Sequence, residues 1–164
     1  MSEIDYEPYL RRALEIARDE SPDPSTQNGA LLITDSGEVK VQSINKFPDG
    51  IRYTKERWHR PDKYAYIEHA ERNVIYEAAR LGIKTEGLIL VCPFFACADC
   101  ARAIIQSGIK KCVGHISTKE NAHPRWNETV EIASDMLKEA KVDCIYLDKF
   151  FGISLRRNEK IVTI

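Results

Sequence analysis

The stretch IEHAERNVIYEAARLG, residues 67–82, and the stretch FFACADCARAIIQSG, residues 94–108, decide the fold of this chain. Each predicts an amphipathic helix that a glycine ends, because apolar residues recur at helical spacing up to Gly82 and Gly108. His69 opens the first helix, and a Cys-x-x-Cys pair opens the second. Side chains that can bind a metal therefore stand at two helix starts, which is the first indication of a shared site.

The pattern on either side of these helices predicts an α/β fold. A helix and a turn-linked strand pair precede them, and strands alternate with helices after them. The expected strands are 29–34, 39–45, 87–92, 111–116 and 142–147, and the expected helices are 6–17, 69–81, 98–107 and 126–137. Such an order indicates a three-layer α/β/α sandwich around a mixed sheet. We expect one domain over residues 1–164, with a core at about 21–147 and a tail, 148–164, for which a small hairpin is expected.

Composition and charge are typical of a soluble globular protein. The hydrophobic fraction is 43% and the charged fraction 30%. A net charge of -1 argues against a general nucleic-acid binder, which usually carries a basic excess. The first residues lack a secretory pattern, and no apolar run approaches the ~20 residues that cross a membrane. We therefore expect a cytoplasmic protein with reduced cysteines, no membrane association and no nucleic-acid partner.

The cysteine pair becomes informative through the histidine segment. Cys97 and Cys100 share one face of a helical first turn, where free N–H groups and the helix dipole favour the thiolates that bind zinc. Alone, the pair is equally compatible with a redox dithiol, half of a zinc finger or two core cysteines. Combined with the His-x-Glu pair His69 and Glu71, it is the signature of zinc-dependent deaminases. Three protein ligands, His69, Cys97 and Cys100, leave the fourth zinc position open, as in catalytic sites, so we expect one Zn²⁺ per chain.

Glu71 is the expected catalytic residue. In the chemistry of such sites it takes the proton of the attacking water, passes it to N3 of a pyrimidine ring, and later protonates the departing ammonia. The alternative is that Glu71 only complements the N-terminal dipole of its helix. The other cysteines lie in apolar strands and are interpreted as core residues, and the other histidines have no partner spacing. These residues are Cys92, Cys112, Cys144, His59, His115 and His123.

Further stretches resemble the deoxycytidylate deaminase family of the cytidine deaminase-like superfamily. DPSTQ at 23–27 and NKFPDG at 45–50 are similar to the family's approach to its first strand and to its Asn-Gly-x-Pro-x-Gly loop. The two helix-opening segments also match, and the resemblance extends over about residues 21–147. It implies a cytidine deaminase-like fold.

The resemblance also implies which residues contact the substrate. Asn45 would hydrogen-bond the sugar, with Lys46 and Ala70 beside it, although a turn-forming asparagine is the alternative for Asn45. The chain departs from the family pattern at three positions. Lys46 replaces a glycine, Ala96 replaces the proline before the first cysteine, and Glu68 adds a carboxylate beside the histidine ligand. If Glu68 faces the pocket, it selects a substituted base or hinders an ordinary one.

The polar stretch 46–62 is long for a connection and carries interleaved basic and aromatic residues. Such residues could grip a phosphate and stack on a base, and a solvated surface loop is an equally good interpretation. The basic residues in and just after it are Lys46, Arg52, Lys55, Arg57, Arg60 and Lys63. Ile51 stands where some relatives have a cysteine for a second, regulatory zinc, which supports the expectation of a single zinc and argues against strong control by triphosphates.

The function expected from this resemblance is zinc-dependent hydrolytic deamination of a free deoxycytidine nucleotide, dCMP to dUMP with release of ammonia. The alternatives are a related pyrimidine (a 5-substituted dCMP, dCTP or a riboflavin-pathway pyrimidine), a base within RNA, or an inactive deaminase fold that binds nucleotides. The intact Glu71 argues against the inactive fold, and the weak basic balance argues against RNA. We expect a small-molecule pyrimidine nucleotide as partner and, from the resemblance, a homo-oligomer.

Overall fold

The computed structural model describes residues 4–120 and 123–164. Its helices are α1 (Glu7–Glu20), α2 (Lys63–Tyr66), α3 (Ala70–Arg80), α4 (Ala98–Gln106), α5 (Ser117–Glu120) and α6 (Asn127–Glu139). Its strands are β1 (Gly29–Ile33), β2 (Val39–Ile44), β3 (Ile89–Val91), β4 (Lys111–His115), β5 (Asp143–Leu147), β6 (Ser154–Arg157) and β7 (Lys160–Thr163). Short 3₁₀ turns cover Glu56–Trp58 and Pro124–Trp126.

Strands β1 to β5 form a mixed sheet in the order β2-β1-β3-β4-β5. β1 lies antiparallel to both β2 and β3, whereas β3, β4 and β5 run parallel to one another. The predicted strand pair and the predicted mixed sheet are confirmed. Since β2 and β3 are both antiparallel to β1, their carboxyl ends lie at the same edge of the sheet. The segments that lead to α3 and α4 leave from that edge.

Both faces of the sheet are buried. Successive residues of a strand point to opposite faces, so the neighbours Leu31 and Leu32 enter different cores. Leu32 and Leu90 pack with residues of α3, α4 and α6, while Leu31 and Val91 pack with α1 and with the tail of the chain. The three-layer α/β/α arrangement is therefore confirmed, with a hydrophobic core on each side of the sheet.

Gly29 allows α1 to approach the sheet closely. A Cβ atom at this position would lie 2.4 Å from the carbonyl oxygen of Ala13 and 2.8 Å from Cγ1 of Ile16. Real Cβ atoms do not make contacts this short, so only glycine fits here. The buried face of α1, which includes Leu10 and Leu14, rests on β1 as a result.

The tail forms a tight hairpin that attaches to the loop before β1. Strands β6 and β7 are joined by two residues, Asn158 and Glu159, whose φ angles of 51° and 67° are those of a type I′ turn. The backbone N–H of Glu159 donates to the carbonyl of Ser25 at 2.9 Å, and that of Asn158 donates to Oγ1 of Thr26 at 3.2 Å. Leu155 anchors the hairpin in the core beside α1.

Some boundaries differ from the sequence prediction. The stretch 46–62 contains a 3₁₀ turn, and α2 follows directly after it. Trp126, predicted as the first residue of the last helix, ends the 3₁₀ turn before α6. Apolar spacing predicts that Trp126 lies on the buried face of the helix, whereas its side chain lines a cavity. In the described ranges, no helix is long and apolar enough to cross a membrane.

Candidate active site

The three predicted zinc ligands lie together at the starts of α3 and α4. His69 and Cys97 are the N-cap residues of these helices, both in extended conformation. Nδ1 of His69 lies 3.6 Å from Sγ of Cys97 and 3.5 Å from Sγ of Cys100. Ligand atoms around a tetrahedral zinc, with bonds of about 2.0–2.3 Å, stand about 3.6 Å apart. The two sulfurs and the nitrogen, all within 4.8 Å of one another, therefore fit a zinc ion.

Arg72 lies against the two sulfur atoms. Its Nη1 is 3.5 Å from Sγ of Cys100 and 4.0 Å from Sγ of Cys97. The same guanidinium binds the Glu68 carboxylate twice, at 2.7 and 3.2 Å. Hydrogen bonds with Cys100 and His69 lower the pKa of Cys97 to about 3, against the effect of burial. A thiolate is thus favoured at this position, and Arg72 supplies positive charge beside it, as groups around metal ligands commonly do.

Glu71 carries a buried carboxyl group without a complete set of partners. The residue is only 2% exposed, and its Oε2 has no hydrogen-bond partner among the residues that the structure describes. Burial raises the pKa of Glu71 to about 7. Unpartnered buried polar atoms are rare because they are destabilising, and each one needs an explanation. Glu71 lies in the first turn of α3 and faces the same cavity as His69, so it is placed to exchange protons with a molecule there.

An open cavity lies beside this cluster. Its wall contains four of the predicted site residues, namely Asn45, His69, Glu71 and Cys97. Cys100, which is fully buried, lies behind the wall. The structure therefore brings the predicted catalytic residue and metal ligands to one site.

Asn45 connects the end of β2 to the start of α3. Its Oδ1 accepts a hydrogen bond from the backbone N–H of Ala70 at 2.7 Å, and its Nδ2 donates to the carbonyl of Thr26 at 3.0 Å. One amide hydrogen of Asn45 is left for a ligand, because a side-chain amide has two. The predicted substrate contacts at Asn45 and Ala70 stay predictions. In the structure, the hydrogen bond between Asn45 and Ala70 fixes the turn that carries His69.

Lys46 lies away from the cavity. Its Nζ binds the carboxylate of Asp49 at 2.5 Å, and its backbone pairs with Glu68 in an antiparallel bridge. The side chains of Lys46 and Glu68 line a separate shallow depression on the surface. This arrangement lends no support to the predicted substrate contact of Lys46. The expectation that Glu68 selects a base required it to face the pocket, whereas its carboxylate binds Arg72.

Sequence reasoning missed several residues of the cavity wall. Asn28, Phe94, Trp126 and Arg157 come from separate segments and carry no motif that marks them. The rings of Trp126 and His69 form an edge-to-face pair, with centroids 6.3 Å apart. Apolar spacing predicts this tryptophan on a helix face, and no motif in the sequence marks the tail residue Arg157 as part of a site.

Basic residues in and just after the stretch 46–62 have different surroundings. Arg60 and Lys63 reach the cavity wall. Arg57 instead lies over the ring of Tyr66, 4.7 Å from its centroid, and donates to the carbonyl of Arg52. Arg57 therefore packs on protein groups, in agreement with the surface-loop interpretation, whereas Arg60 and Lys63 face the site.

A hydrolytic deaminase with the cytidine deaminase-like fold is the class of protein that accounts for a buried, unpartnered carboxyl next to three metal-binding side chains. A family profile described as "Cytidine and deoxycytidylate deaminase zinc-binding region" matches residues 3–116. The chain belongs to this family, and the resemblance to deoxycytidylate deaminases is confirmed.

Known relatives agree with this membership. The chain is 35% identical over 127 residues to an "uncharacterized deaminase in luxG 3′ region" of Aliivibrio fischeri, covering 77% of this chain and 83% of the relative. It is 28% identical over 116 residues to the deoxycytidylate deaminase of Homo sapiens, covering 67% of this chain and 64% of that enzyme. The structure of the dCMP deaminase from cyanophage S-TIM5, in complex with dCMP and dUMP, aligns with a TM-score of 0.63 at 20% identity, over 86% of this chain and 95% of that one. This last likeness concerns the fold.

Proposed function

We propose that this chain is a zinc-dependent deaminase of a free deoxycytidine nucleotide, which converts dCMP to dUMP with release of ammonia. The observation that carries the proposal is the Glu71 carboxyl, buried with an unpartnered Oε2 beside His69, Cys97 and Cys100. The choice of dCMP is supported by relatives named deoxycytidylate deaminase and by a structural neighbour whose ligands are dCMP and dUMP.

The site residues divide the work between binding and proton transfer. His69, Cys97 and Cys100 would hold one Zn²⁺, which, when bound, supplies a Lewis acid that makes water a nucleophile at neutral pH. Glu71 then removes a proton from water as it adds to C4 of the base and delivers a proton to ring N3. Glu71 next takes the second proton of the added water from the hydroxyl on C4 and delivers it to the amino group. The C4–N4 bond breaks, the C4–O bond becomes the carbonyl of the product, and the amino group leaves as ammonia. Water supplies the oxygen of the product, so the atoms balance without any further reagent.

Two other functions fit this geometry less well. A nucleotide-binding protein without catalysis has no use for a carboxyl that destabilises the fold by its burial, and Glu71 is such a group. A nucleic-acid substrate fits poorly with the net charge of -1, because phosphate backbones select basic surfaces. A free pyrimidine nucleotide does not need a basic surface, and the cavity beside Glu71 is open to solvent.

An ammonia-release screen tests the proposal. The zinc-loaded protein is assayed with cytosine, cytidine, deoxycytidine, their mono-, di- and triphosphates, 5-substituted forms and a riboflavin-pathway pyrimidine. We expect the highest kcat/KM with dCMP. Release from none of these compounds, by protein that contains zinc, would refute the proposal, and a clear preference for another ring would redirect it. The homo-oligomer implied by the family is a separate prediction, which sedimentation velocity of the same sample tests.

A further inference from the structure

Arg157 places a positive charge in the wall of the candidate active site. It is the last residue of β6, directly before the hairpin turn, and is only 8% exposed. Its Nη1 and Nη2 donate to the carbonyls of Ser117 and Thr118 at 2.9 and 3.3 Å. The guanidinium also lies over the ring of Phe94, 4.2 Å from the centroid. These partners are all neutral.

The lysine and the other arginine of this wall already form ion pairs. Nζ of Lys63 binds the carboxylate of Asp23 at 2.7 Å, and both residues are buried. The guanidinium of Arg60 binds the carboxylate of Glu159. Arg157 forms no ion pair with any residue in the ranges 4–120 and 123–164 whose side chain the structure describes. None of these described side chains therefore neutralises its charge beside the cavity.

A buried charge of this kind favours an anion of matching shape. Burial lowers the pKa of Arg157 to about 10, so the guanidinium stays charged at neutral pH. Removing a charge from water is costly unless an opposite charge or good hydrogen bonds replace the water. A guanidinium has five N–H groups, and the two carbonyls use only two of them. The three N–H groups that remain can donate to the oxygens of a phosphate.

The hairpin turn keeps Arg157 in place relative to the cavity. Asn158, the next residue, also lines the cavity, and its N–H is bound to Thr26. Thr118, whose carbonyl Arg157 contacts, lines the cavity as well, and its hydroxyl donates to the carbonyl of Pro93 at 2.6 Å. Arg157 is therefore held by rigid contacts on both sides. It lies outside residues 3–116, which the family profile matches.

We infer that Arg157 binds the phosphate of the substrate nucleotide and makes the site selective for nucleoside monophosphates over nucleosides. This inference rests on the proposed function, because it assigns the substrate class of the same site. Arg157 acts on specificity and has no part in the proton transfers of Glu71.

The test compares two substrates that differ only in the phosphate. Wild-type protein and the variants Arg157→Gln and Arg157→Lys are assayed with dCMP and with deoxycytidine. The control is Arg156→Gln, because Arg156 is the neighbouring arginine of the same strand and is exposed. A charge-assisted hydrogen bond to phosphate is worth roughly a 10- to 100-fold change in kcat/KM. We expect Arg157→Gln to lose that factor with dCMP and to keep its kcat/KM with deoxycytidine within about twofold.

The lysine variant covers the case in which Arg157→Gln does not fold. Arg157→Lys keeps the charge but loses the guanidinium, so its ratio of dCMP to deoxycytidine activity should fall between those of wild type and Arg157→Gln. Arg156→Gln should keep the wild-type ratio. An unchanged ratio in a folded Arg157 variant, or an equal loss with both substrates, would overturn the inference, since the second result indicates a structural role.

A binding experiment separates this inference from the proposed function. If the wild-type protein deaminates neither compound, the proposed function fails, and calorimetry with dUMP and deoxyuridine then decides on Arg157. Tighter binding of dUMP than of deoxyuridine by wild type, lost in the folded Arg157 variant and kept in Arg156→Gln, supports an anion site. Equal affinity of the wild-type protein for the two compounds would overturn it.

Discussion

Replacing Glu71 by glutamine separates catalysis from the assembly of the site. Glutamine keeps the size of the side chain and removes its ability to carry a proton. The Oε2 atom that changes has no hydrogen-bond partner among the described residues, so the replacement breaks no bond of that atom there. His69, Cys97 and Cys100 remain as the metal ligands. We therefore expect zinc content, thermal stability and dCMP affinity to be retained.

Turnover by the Glu71→Gln variant should nearly disappear. General acid–base catalysis supplies about 10²–10⁴ in rate, and one carboxyl serves several successive transfers here, so the loss belongs at the upper end. A 10⁴-fold loss corresponds to about 5.5 kcal/mol in the activation barrier. Ammonia release under saturating dCMP measures kcat, elemental analysis measures zinc, and calorimetry with dCMP measures affinity.

A matched control comes from the same helix. Glu77 lies in α3 and pairs with Arg80 at the surface, so Glu77→Gln should keep kcat within about twofold. The reasoning is refuted if Glu71→Gln retains more than about a tenth of the wild-type kcat, because the general acid–base contribution would then be too small for a proton carrier. Loss of zinc in this variant would also refute it, since Glu71 would then support the metal site instead.

Three further predictions concern the metal and the fold. By elemental analysis, wild-type protein should hold one zinc per chain, and the Cys100→Ser variant should hold much less. Two tightly bound zinc ions in the wild type, or none, would contradict the site described above. Arg72→Gln should weaken zinc affinity by about tenfold in a chelator competition, because Arg72 donates to the Cys100 sulfur. An unchanged affinity would show that this contact does not support zinc binding. Gly29→Ala should lower the free energy of unfolding by about 1–3 kcal/mol in urea titrations, since the added Cβ would clash with the Ala13 carbonyl. An unaltered urea midpoint would show that α1 can shift without cost.

The cluster of His69, Glu71, Cys97 and Cys100 could be predicted from the sequence because local spacing determines the relation of these residues. His69 and Glu71 share one helical turn, as do Cys97 and Cys100, and the helix starts follow from apolar periodicity and from Gly82 and Gly108. The two turns meet because strands β2 and β3 end at one edge of the sheet, which the alternation of strands and helices also indicates.

The rest of the site depends on contacts between distant segments. Arg157 reaches the cavity only because the hairpin turn docks on Ser25, and no local pattern encodes that docking. The resemblance of the stretch 45–50 to the family's Asn-Gly-x-Pro-x-Gly loop predicts Lys46 at the site. Its backbone instead pairs with Glu68, and its side chain turns to Asp49. Trp126 shows the same limit, because helical spacing does not reveal that its ring faces a cavity.

The turn between β6 and β7 has a consequence for efforts to make this protein more heat-resistant. Glu159 adopts a φ of 67°, a conformation that glycine reaches freely and that typically destabilises other residues by about 1 kcal/mol or more. Its side chain pairs with Arg60, and the neighbouring Asn158 lines the cavity. Replacing Glu159 by glycine would remove the backbone strain at this position. It would also remove the ion pair with Arg60, a residue that lines the cavity. A selection for thermostability alone would therefore favour a change that alters which ligands the enzyme accepts.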